Sequence, residues 1–216
     1  MLNKMKRYFF IACFLCIGIL KLSAQVTFKP GINAGLNVSN IQNTNFESKK
    51  GFYLGAFGAL RFSEIYTLQE EVSYSMQGGK GTIDGFYYDQ ISPTEINTVY
   101  EARDIDISLQ YVSFVTMNKF NVTKKLYFLA GTYFDIIVGN DFKIDLNNNF
   151  VGNVSKGEDV DFGIIGGLGF SLPKGFSIEG RIKKGFGDVF DDQSGSANIN
   201  TNLVFQIGGT YTFGLK

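Results

Sequence analysis

A two-residue alternation of apolar and polar side chains recurs in eight segments after residue 25, and it constrains the fold more than any other feature. Successive side chains of a β-strand point to opposite faces, so this period predicts strands with one apolar face. A convincing 3.6-residue helical period is absent from the same stretch. A tilted strand of about nine to eleven residues crosses a bilayer, and the predicted strands suit that length. They are centred on residues 32–38, 52–62, 68–76, 105–117, 128–138, 160–170, 176–183 and 202–213.

The connections between these segments alternate in length, which predicts how the strands are arranged. The first, third, fifth and seventh connections are long and polar: Ser39–Lys50, Gln77–Asp104, Gly139–Asp159 and Gly185–Thr201. The other three are short: Ser63–Thr67, Asn118–Lys125 and Ser171–Gly175. Long loops on one rim and short turns on the other are typical of up-and-down barrels in outer membranes. We therefore predict an all-β, eight-stranded, antiparallel transmembrane barrel with short periplasmic turns, long extracellular loops and both termini at the periplasmic rim.

The apolar face of the barrel is predicted to point outward, into lipid. In the clearly phased strands this face carries a single charge, Glu70, close to the rim with the short turns. The opposite face carries charges of both signs: Arg61, Glu71, Asp135, Asp161, Glu179, Arg181 and Lys183. An eight-stranded barrel has an interior just wide enough for side chains. We expect Arg61, Glu71, Glu179 and Arg181 to form a polar network that fills the lumen, in preference to a conduction path.

The fourth segment leaves part of this assignment open. Ile105, Ile107 and Leu109 form an apolar row that should share the outward face. Residues 112–115 are apolar on both faces, so the pattern does not fix their phase.

Residues 1–24 have the organisation of a secretory signal peptide, with processing predicted between Ala24 and Gln25. A basic start precedes an apolar run of about a dozen residues, too short for a comfortable transmembrane helix. Residues 25–216 then form one barrel domain. Both cysteines, Cys13 and Cys16, lie in the signal segment, so the exported chain has no thiol chemistry. It keeps 16 basic and 20 acidic residues without a basic block, which excludes nucleic acid as a partner.

The last segment contains a pattern that resembles the β-signal recognised by barrel-assembly machinery. The pattern consists of Gln206, Gly208, Tyr211 and Phe213 at their present spacing. This resemblance implies that the assembly machinery is a partner during biogenesis, and the membrane location implies contact with outer-membrane lipid and lipopolysaccharide.

Several motifs resemble those of the PorT-like family of small outer-membrane barrels from Bacteroidetes. They are Phe52-x-x-Gly55, Leu68-Gln-Glu-Glu71-Val-x-Tyr74-Ser75-x-x-Gly78, Leu126-Tyr-Phe-x-Ala130-Gly131, Asp161-Phe-Gly163-x-x-x-Gly167-x-Gly169 and Ile178-Glu179-x-Arg181. The resemblance extends over about residues 26–213. It implies a membrane barrel of a family in which most members have no assigned biochemical activity.

The composition argues against an enzyme and against a cofactor. The chain has no histidine, which removes the acid–base and nucleophilic mechanisms of barrel hydrolases and acyltransferases. The glycine clusters lack nucleotide-binding spacing. The Asp145–Asn149 run lacks the glycine and glutamate of a calcium loop. An exposed acidic loop is the favoured interpretation of Asp188, Asp191 and Asp192, and a cation site is the alternative. We expect no cofactor and no metal.

Three functions are compatible with the sequence. The first is a non-enzymatic structural or surface-interaction role for an outer-membrane barrel. The second is a narrow porin-like channel for ions or small solutes. The third is a periplasmic lipocalin-like barrel, with its apolar face turned inward around a ligand.

Overall fold

The computed structural model describes residues 26–92, 95–144, 154–192 and 199–214. Strands account for most of these residues, together with one turn of 3₁₀ helix at Pro173–Gly175. The strands are β1 Thr27–Ile41, β2 Glu47–Arg61, β3 Tyr66–Ser92, β4 Glu95–Asn121, β5 Leu126–Ile144, β6 Val154–Lys156, β7 Val160–Ser171, β8 Phe176–Gly185, β9 Phe190–Asp192 and β10 Asn202–Thr212. The predicted signal peptide and its cleavage site at Ala24 and Gln25 lie outside the described residues.

Eight of the strands close into one antiparallel barrel, as predicted. The order around the ring is β1, β2, β3, β4, β5, β7, β8 and β10, so every strand pairs with its neighbours along the chain. The ring closes where β1 pairs with β10, for example at Gly35 opposite Gly208. Closure leaves no unpaired sheet edge, which is the condition for a β-structure in a bilayer. The short strands β6 and β9 pair with each other outside the ring.

The exterior of the barrel is apolar and its interior is mostly polar. Side chains such as Leu36, Leu54, Ile164 and Ile207 point outward and are at least half exposed. Inward positions on the same strands hold buried polar residues, among them Asn37. This arrangement suits lipid outside, and it is the reverse of a soluble lipocalin-type barrel. No helix among the described residues is long and apolar enough to span a membrane.

The prediction of a loop at Gln77–Asp104 is wrong. β3 and β4 continue through this stretch as a hairpin, paired residue by residue from Lys80 opposite Asp106 to Gln90 opposite Ile96. Beyond β2 and β5 the hairpin pairs with no other strand of the described chain. The alternation pattern predicts only strands with one apolar face, whereas a hairpin in water can be polar or mixed on both faces. The alternation therefore disappears where the chain leaves the membrane, although the strands do not end.

The outward placement of Ile105, Ile107 and Leu109 is also wrong. These side chains point inward and are buried in a cluster with Ile41, Phe46, Tyr111 and Val189. Their strand neighbours Asp106 and Ser108 face outward and bind Lys49. At the outer end of the barrel an outward side chain faces water. The apolar row of Ile105, Ile107 and Leu109 is therefore stable only when it turns into the lumen. The cluster forms an apolar plug at the extracellular end of the barrel.

The periplasmic rim is made of short turns with local hydrogen bonds. Ser63 Oγ accepts from the backbone N–H groups of Ile65 and Tyr66 at 3.2 and 3.0 Å. Thr123 Oγ1 accepts from Lys125 and Leu126 in the next turn. These side-chain bonds replace strand pairing at each reversal and fix the register of the strands that follow.

Candidate functional site

An ion pair across the full width of the lumen organises the interior. Arg181 on β8 donates from Nη1 and Nη2 to the two oxygens of Glu71 on β3, at 2.8 Å each. β3 and β8 lie four positions apart in the ring of eight, so the pair joins opposite walls. Its side chains are 2% and 1% exposed. The bidentate geometry is the strongest form of an arginine–carboxylate contact.

Glu179 extends this ion pair toward the periplasm. It accepts from Arg181 Nε at 2.9 Å, from Lys119 Nζ at 3.1 Å and from the Tyr127 hydroxyl at 2.6 Å. Gln69 accepts from Lys119 at 3.0 Å and donates to Glu71. Burial of charges is costly unless each one is paired and hydrogen-bonded, and here every charge of the cluster has several partners.

The structure brings three of the four predicted network residues together. Glu71, Glu179 and Arg181 form one cluster, but Arg61 does not join it. Arg61 lies at the end of β2, is exposed, and donates to the Ser63 carbonyl at 3.1 Å. The alternation identifies an inward face correctly at Arg61, but it does not reveal that this position lies beyond the filled part of the lumen.

Lys119 and Tyr127 belong to the cluster and were missed. The alternation pattern predicts a short turn at Lys119, whereas β4 continues to Asn121 and turns Lys119 inward. Its ammonium also lies 4.6 Å from the centre of the Tyr127 ring. The continued odd-numbered phase of β4 is the one signal that could have placed it.

A second polar layer lies nearer the outer end. Lys183 Nζ binds both oxygens of Asp135 at 2.8 and 3.1 Å and the Ser113 hydroxyl at 2.9 Å. Gln77 donates to Asp135 at 3.1 Å, and the Lys183 ammonium lies 4.0 Å from the Tyr133 ring centre. Strands β3, β4, β5 and β8 all contribute, so this layer also crosses the lumen.

The lumen is therefore filled in layers and closed at its outer end. The ion-pair cluster lies nearest the periplasm, the Lys183 layer follows, and the apolar plug ends the stack. Above the Lys183 layer, Asn202 on β10 donates to the Tyr111 hydroxyl on the opposite strand β4 at 3.2 Å. Asp161 accepts from the backbone N–H of Gly187 at 2.9 Å and from the Tyr133 hydroxyl at 3.2 Å.

The four residues of the predicted assembly signal lie on β10 or directly after it. Gln206 points inward and donates to Asn37 at 2.9 Å. A Cβ at Gly208 would overlap with the Tyr53 hydroxyl and the Ala34 carbonyl. Tyr211 and Phe213 pack edge to face with ring centres 5.2 Å apart. Glycine is therefore required here by the close approach of Tyr53.

Of the acidic residues considered as metal ligands, the Asp145–Asn149 run and the side chains of Asp191 and Asp192 lie outside the described part of the structure. Within it, no group of three or more acidic, cysteine or histidine side chains is placed to hold a metal ion. Asp188, one of the candidates, accepts a hydrogen bond from the backbone N–H of Asn200 at 3.0 Å.

A closed eight-stranded barrel with an apolar exterior and a filled polar lumen defines a transmembrane β-barrel of the outer-membrane type. The family model described as outer membrane protein beta-barrel domain matches residues 21–191. The chain belongs to this family and is a bacterial outer-membrane β-barrel protein. Among curated proteins, none matches it.

Several solved structures are similar to this chain at low identity. Neisserial surface protein A is 12% identical with a TM-score of 0.48, covering 86% of this chain and 97% of its own. The attachment invasion locus protein Ail of Yersinia pestis is 13% identical with a TM-score of 0.46, covering 86% and 98%. OprG of Pseudomonas aeruginosa is 11% identical with a TM-score of 0.37, covering 86% and 94%.

Proposed function

We propose that this protein is a non-enzymatic surface-interaction barrel, in which a closed membrane anchor presents the β3–β4 hairpin to the cell exterior. The observation that carries the proposal is the Arg181–Glu71 ion pair, which spans the lumen between opposite strands and is almost fully buried. A pore needs a continuous water path, and both polar layers and the apolar plug occupy that path. The channel alternative therefore has the weaker support.

The hairpin supplies the surface for an interaction. Its side chains include exposed large apolar and aromatic residues: Tyr88, Ile91, Ile96 and Tyr100. Tyr100 is 81% exposed, and its ring lies 6.1 Å from that of Phe86. Exposed aromatic side chains on a strand pair provide contact area with little loss of side-chain entropy on binding.

The proposal also includes the family group, the export route, the assembly signal and the lipid partners of the barrel. The motifs around Glu71, Gly163 and Glu179 support membership of the PorT-like group. The basic and apolar pattern of residues 1–24 supports export by a signal peptide cleaved after Ala24. Gln206, Gly208, Tyr211 and Phe213 support recognition by barrel-assembly machinery. Outer-membrane lipid and lipopolysaccharide are the partners of the apolar exterior.

Two measurements, one on fractionated cells and one on purified protein, test the closed anchor. On a gel, the unboiled protein should migrate differently from the boiled protein and be found only in the outer-membrane fraction. In planar bilayers it should show no regular single-channel conductance. Steps of reproducible size from wild-type protein would overturn the closed anchor and make the channel the better function.

Site-specific photocrosslinking on intact cells tests the hairpin. A photoreactive residue at Tyr100 should give adducts with an external protein or polysaccharide, whereas the same residue at the lipid-facing Phe205 should not. Absence of adducts at Tyr100 under conditions in which lipid adducts form at Phe205 would contradict the surface-interaction role.

A further inference from the structure

The periplasmic end of the barrel differs from the outer end because it is open. A cavity of about 630 Å³ lies there, below the ion-pair cluster. This volume is within the range of small-molecule sites, about 300–1,000 Å³. The apolar plug closes the opposite end of the lumen. The cavity is therefore a cup that opens toward the periplasm.

Most side chains that line the cup carry hydrogen-bond donors, and Ala59 and Ile65 line it as well. All eight barrel strands, or the turns at their periplasmic ends, contribute to its lining. The contributors on the wall are Lys29, Arg61, Thr67, Lys119, Asn121, Tyr127, Ser171, Ser177 and Thr212. None of these side chains is a carboxylate. In the part of the chain that the structure describes, the one acidic residue lining the cavity is Glu64, in the first periplasmic turn.

Among the described residues, three cations of the cup have no carboxylate partner. Lys119 is neutralised by Glu179 at 3.1 Å. For Lys29, Arg61 and Lys124, no carboxylate among the described residues lies within ion-pair distance. Positive side chains that line one concave surface raise the local concentration of anions. The cup therefore combines enclosure, donors and unpaired positive charge.

From this we infer that the periplasmic mouth of the barrel binds a small polyanion through its carboxylate or phosphate groups, with Lys29, Arg61 and Lys124 as the charged contacts. Thr67, Ser177 and Thr212 stand on the same wall and can donate hydroxyl hydrogen bonds to the remaining oxygens. This site is separate from the hairpin and does not depend on the proposed surface interaction.

The turns allow a matched control because neighbouring lysines point in different directions. Lys124 lines the cavity, whereas the Lys125 ammonium lies over the outer ring of Phe170, 6.0 Å from its centre. Lys174 is exposed in the turn at Pro173–Gly175 and does not line the cavity. The double variants Arg61→Gln/Lys124→Gln and Lys125→Gln/Lys174→Gln lose the same charge from the same rim.

The test is calorimetric titration of detergent-extracted protein with citrate and, separately, with pyrophosphate. At an ionic strength of about 10 mM, where the Debye length is about 30 Å, at least one probe should bind with 1:1 stoichiometry. Arg61→Gln/Lys124→Gln should weaken binding about tenfold or more, while Lys125→Gln/Lys174→Gln should change it less than twofold. A gel shift on boiling verifies that both variants are folded.

The two probes also distinguish the source of the ligand. Tighter binding of citrate indicates a carboxylate ligand such as an acidic peptide, and tighter binding of pyrophosphate indicates a phosphorylated one. The inference is overturned if neither probe binds, or if both double variants weaken binding equally. Equal weakening would mean that general rim charge attracts the anion and that the cup is not a site.

Discussion

At the scale of single residues, Arg181 holds the interior of the barrel together, because two buried carboxylates share its guanidinium. Glu71 and Glu179 are both within 3.0 Å of it and are almost fully buried. A buried pair can contribute little net stability, yet removing one partner leaves the other charged and desolvated. Loss of Arg181 would therefore destabilise the barrel because it would leave two buried carboxylates without their shared cation.

Arg181→Ala should destabilise the barrel by about 3–5 kcal/mol, the usual effect of breaking a buried ion pair. Arg61→Ala is the matched control, since that arginine is exposed at the rim and should cost no more than about 0.5 kcal/mol. Equilibrium unfolding in urea, with the protein in lipid vesicles, measures both changes. Equal destabilisation by the two substitutions would contradict the role of Arg181.

Gly208→Ala should destabilise the barrel by about 1–3 kcal/mol, because the new methyl group overlaps with the Tyr53 hydroxyl and the Ala34 backbone. The adjacent Gly209 is the control, since a Cβ there has the Ser177 carbonyl as its nearest neighbour, at 3.7 Å. Folding yield and urea midpoint should fall for Gly208→Ala and stay near wild type for Gly209→Ala. A tolerated alanine at residue 208 would show that Tyr53 does not need this space.

At the scale of elements, the base of the β3–β4 hairpin is held by an outward polar cluster above the apolar exterior. Asp106 on β4 binds Lys49 on β2 and Lys80 on β3, the latter at 2.9 Å. Although partial burial alone would raise the pKa of the Asp106 carboxyl, the hydrogen bonds and charges of Lys49 and Lys80 outweigh it and lower that pKa below its usual value. The ionised carboxylate thus ties the hairpin to the neighbouring strand.

The lowered pKa of Asp106 gives this contact a defined pH dependence. Its stabilisation is complete above the ordinary carboxyl pKa of about 4 and is lost as the pH falls through the lower folded-state value. The protection of amides at the hairpin base, measured against their intrinsic exchange rate at each pH, should therefore fall below about pH 4. Asp106→Asn should show the faster exchange already at pH 7. An unchanged exchange rate in Asp106→Asn would show that this cluster does not hold the base.

The hairpin itself should be dispensable for the barrel. The described residues of 84–102 pair only within the hairpin, so their replacement by a two-residue turn removes no pairing between other barrel strands. The shortened protein should fold and keep its gel shift on boiling. Loss of folding would mean that the hairpin nucleates the β3–β4 pairing and is part of the anchor.

The bilayer explains which elements could be predicted from the sequence. Where lipid lies outside and polar groups fill the inside, each strand must alternate, so all eight barrel strands were recognised. The hairpin and the inward row at Ile105, Ile107 and Leu109 lie where water is outside. There an apolar row marks the face turned away from water, and it no longer marks the lipid-facing side. The inward charges were recognised individually, but the partnership of Glu71 with Arg181 depends on barrel closure, which brings residues 110 positions apart together.

At the scale of the whole molecule, the two ends of the barrel have different chemistry. The periplasmic rim has short turns and an open, basic cup, while the outer end has an apolar plug and the hairpin. The sequence predicted the orientation from loop lengths, because tight turns and long loops fall on opposite rims. It did not predict the cup, since its residues come from all around the ring and no local motif links them.

The orientation can be tested with single cysteines, since both cysteines of the chain lie within residues 1–24 and the barrel itself has none. Tyr100→Cys places a thiol on the hairpin, and Glu64→Cys places one in the first short turn. A membrane-impermeant maleimide should label Tyr100→Cys on intact cells and Glu64→Cys only after the outer membrane is permeabilised. Tyr100 pairs with Phe86 in the hairpin beyond the other barrel strands, and Glu64 lies in a turn, so both variants should fold. The opposite labelling pattern would show that the barrel has the inverse orientation, with the basic cup outside the cell and the hairpin in the periplasm.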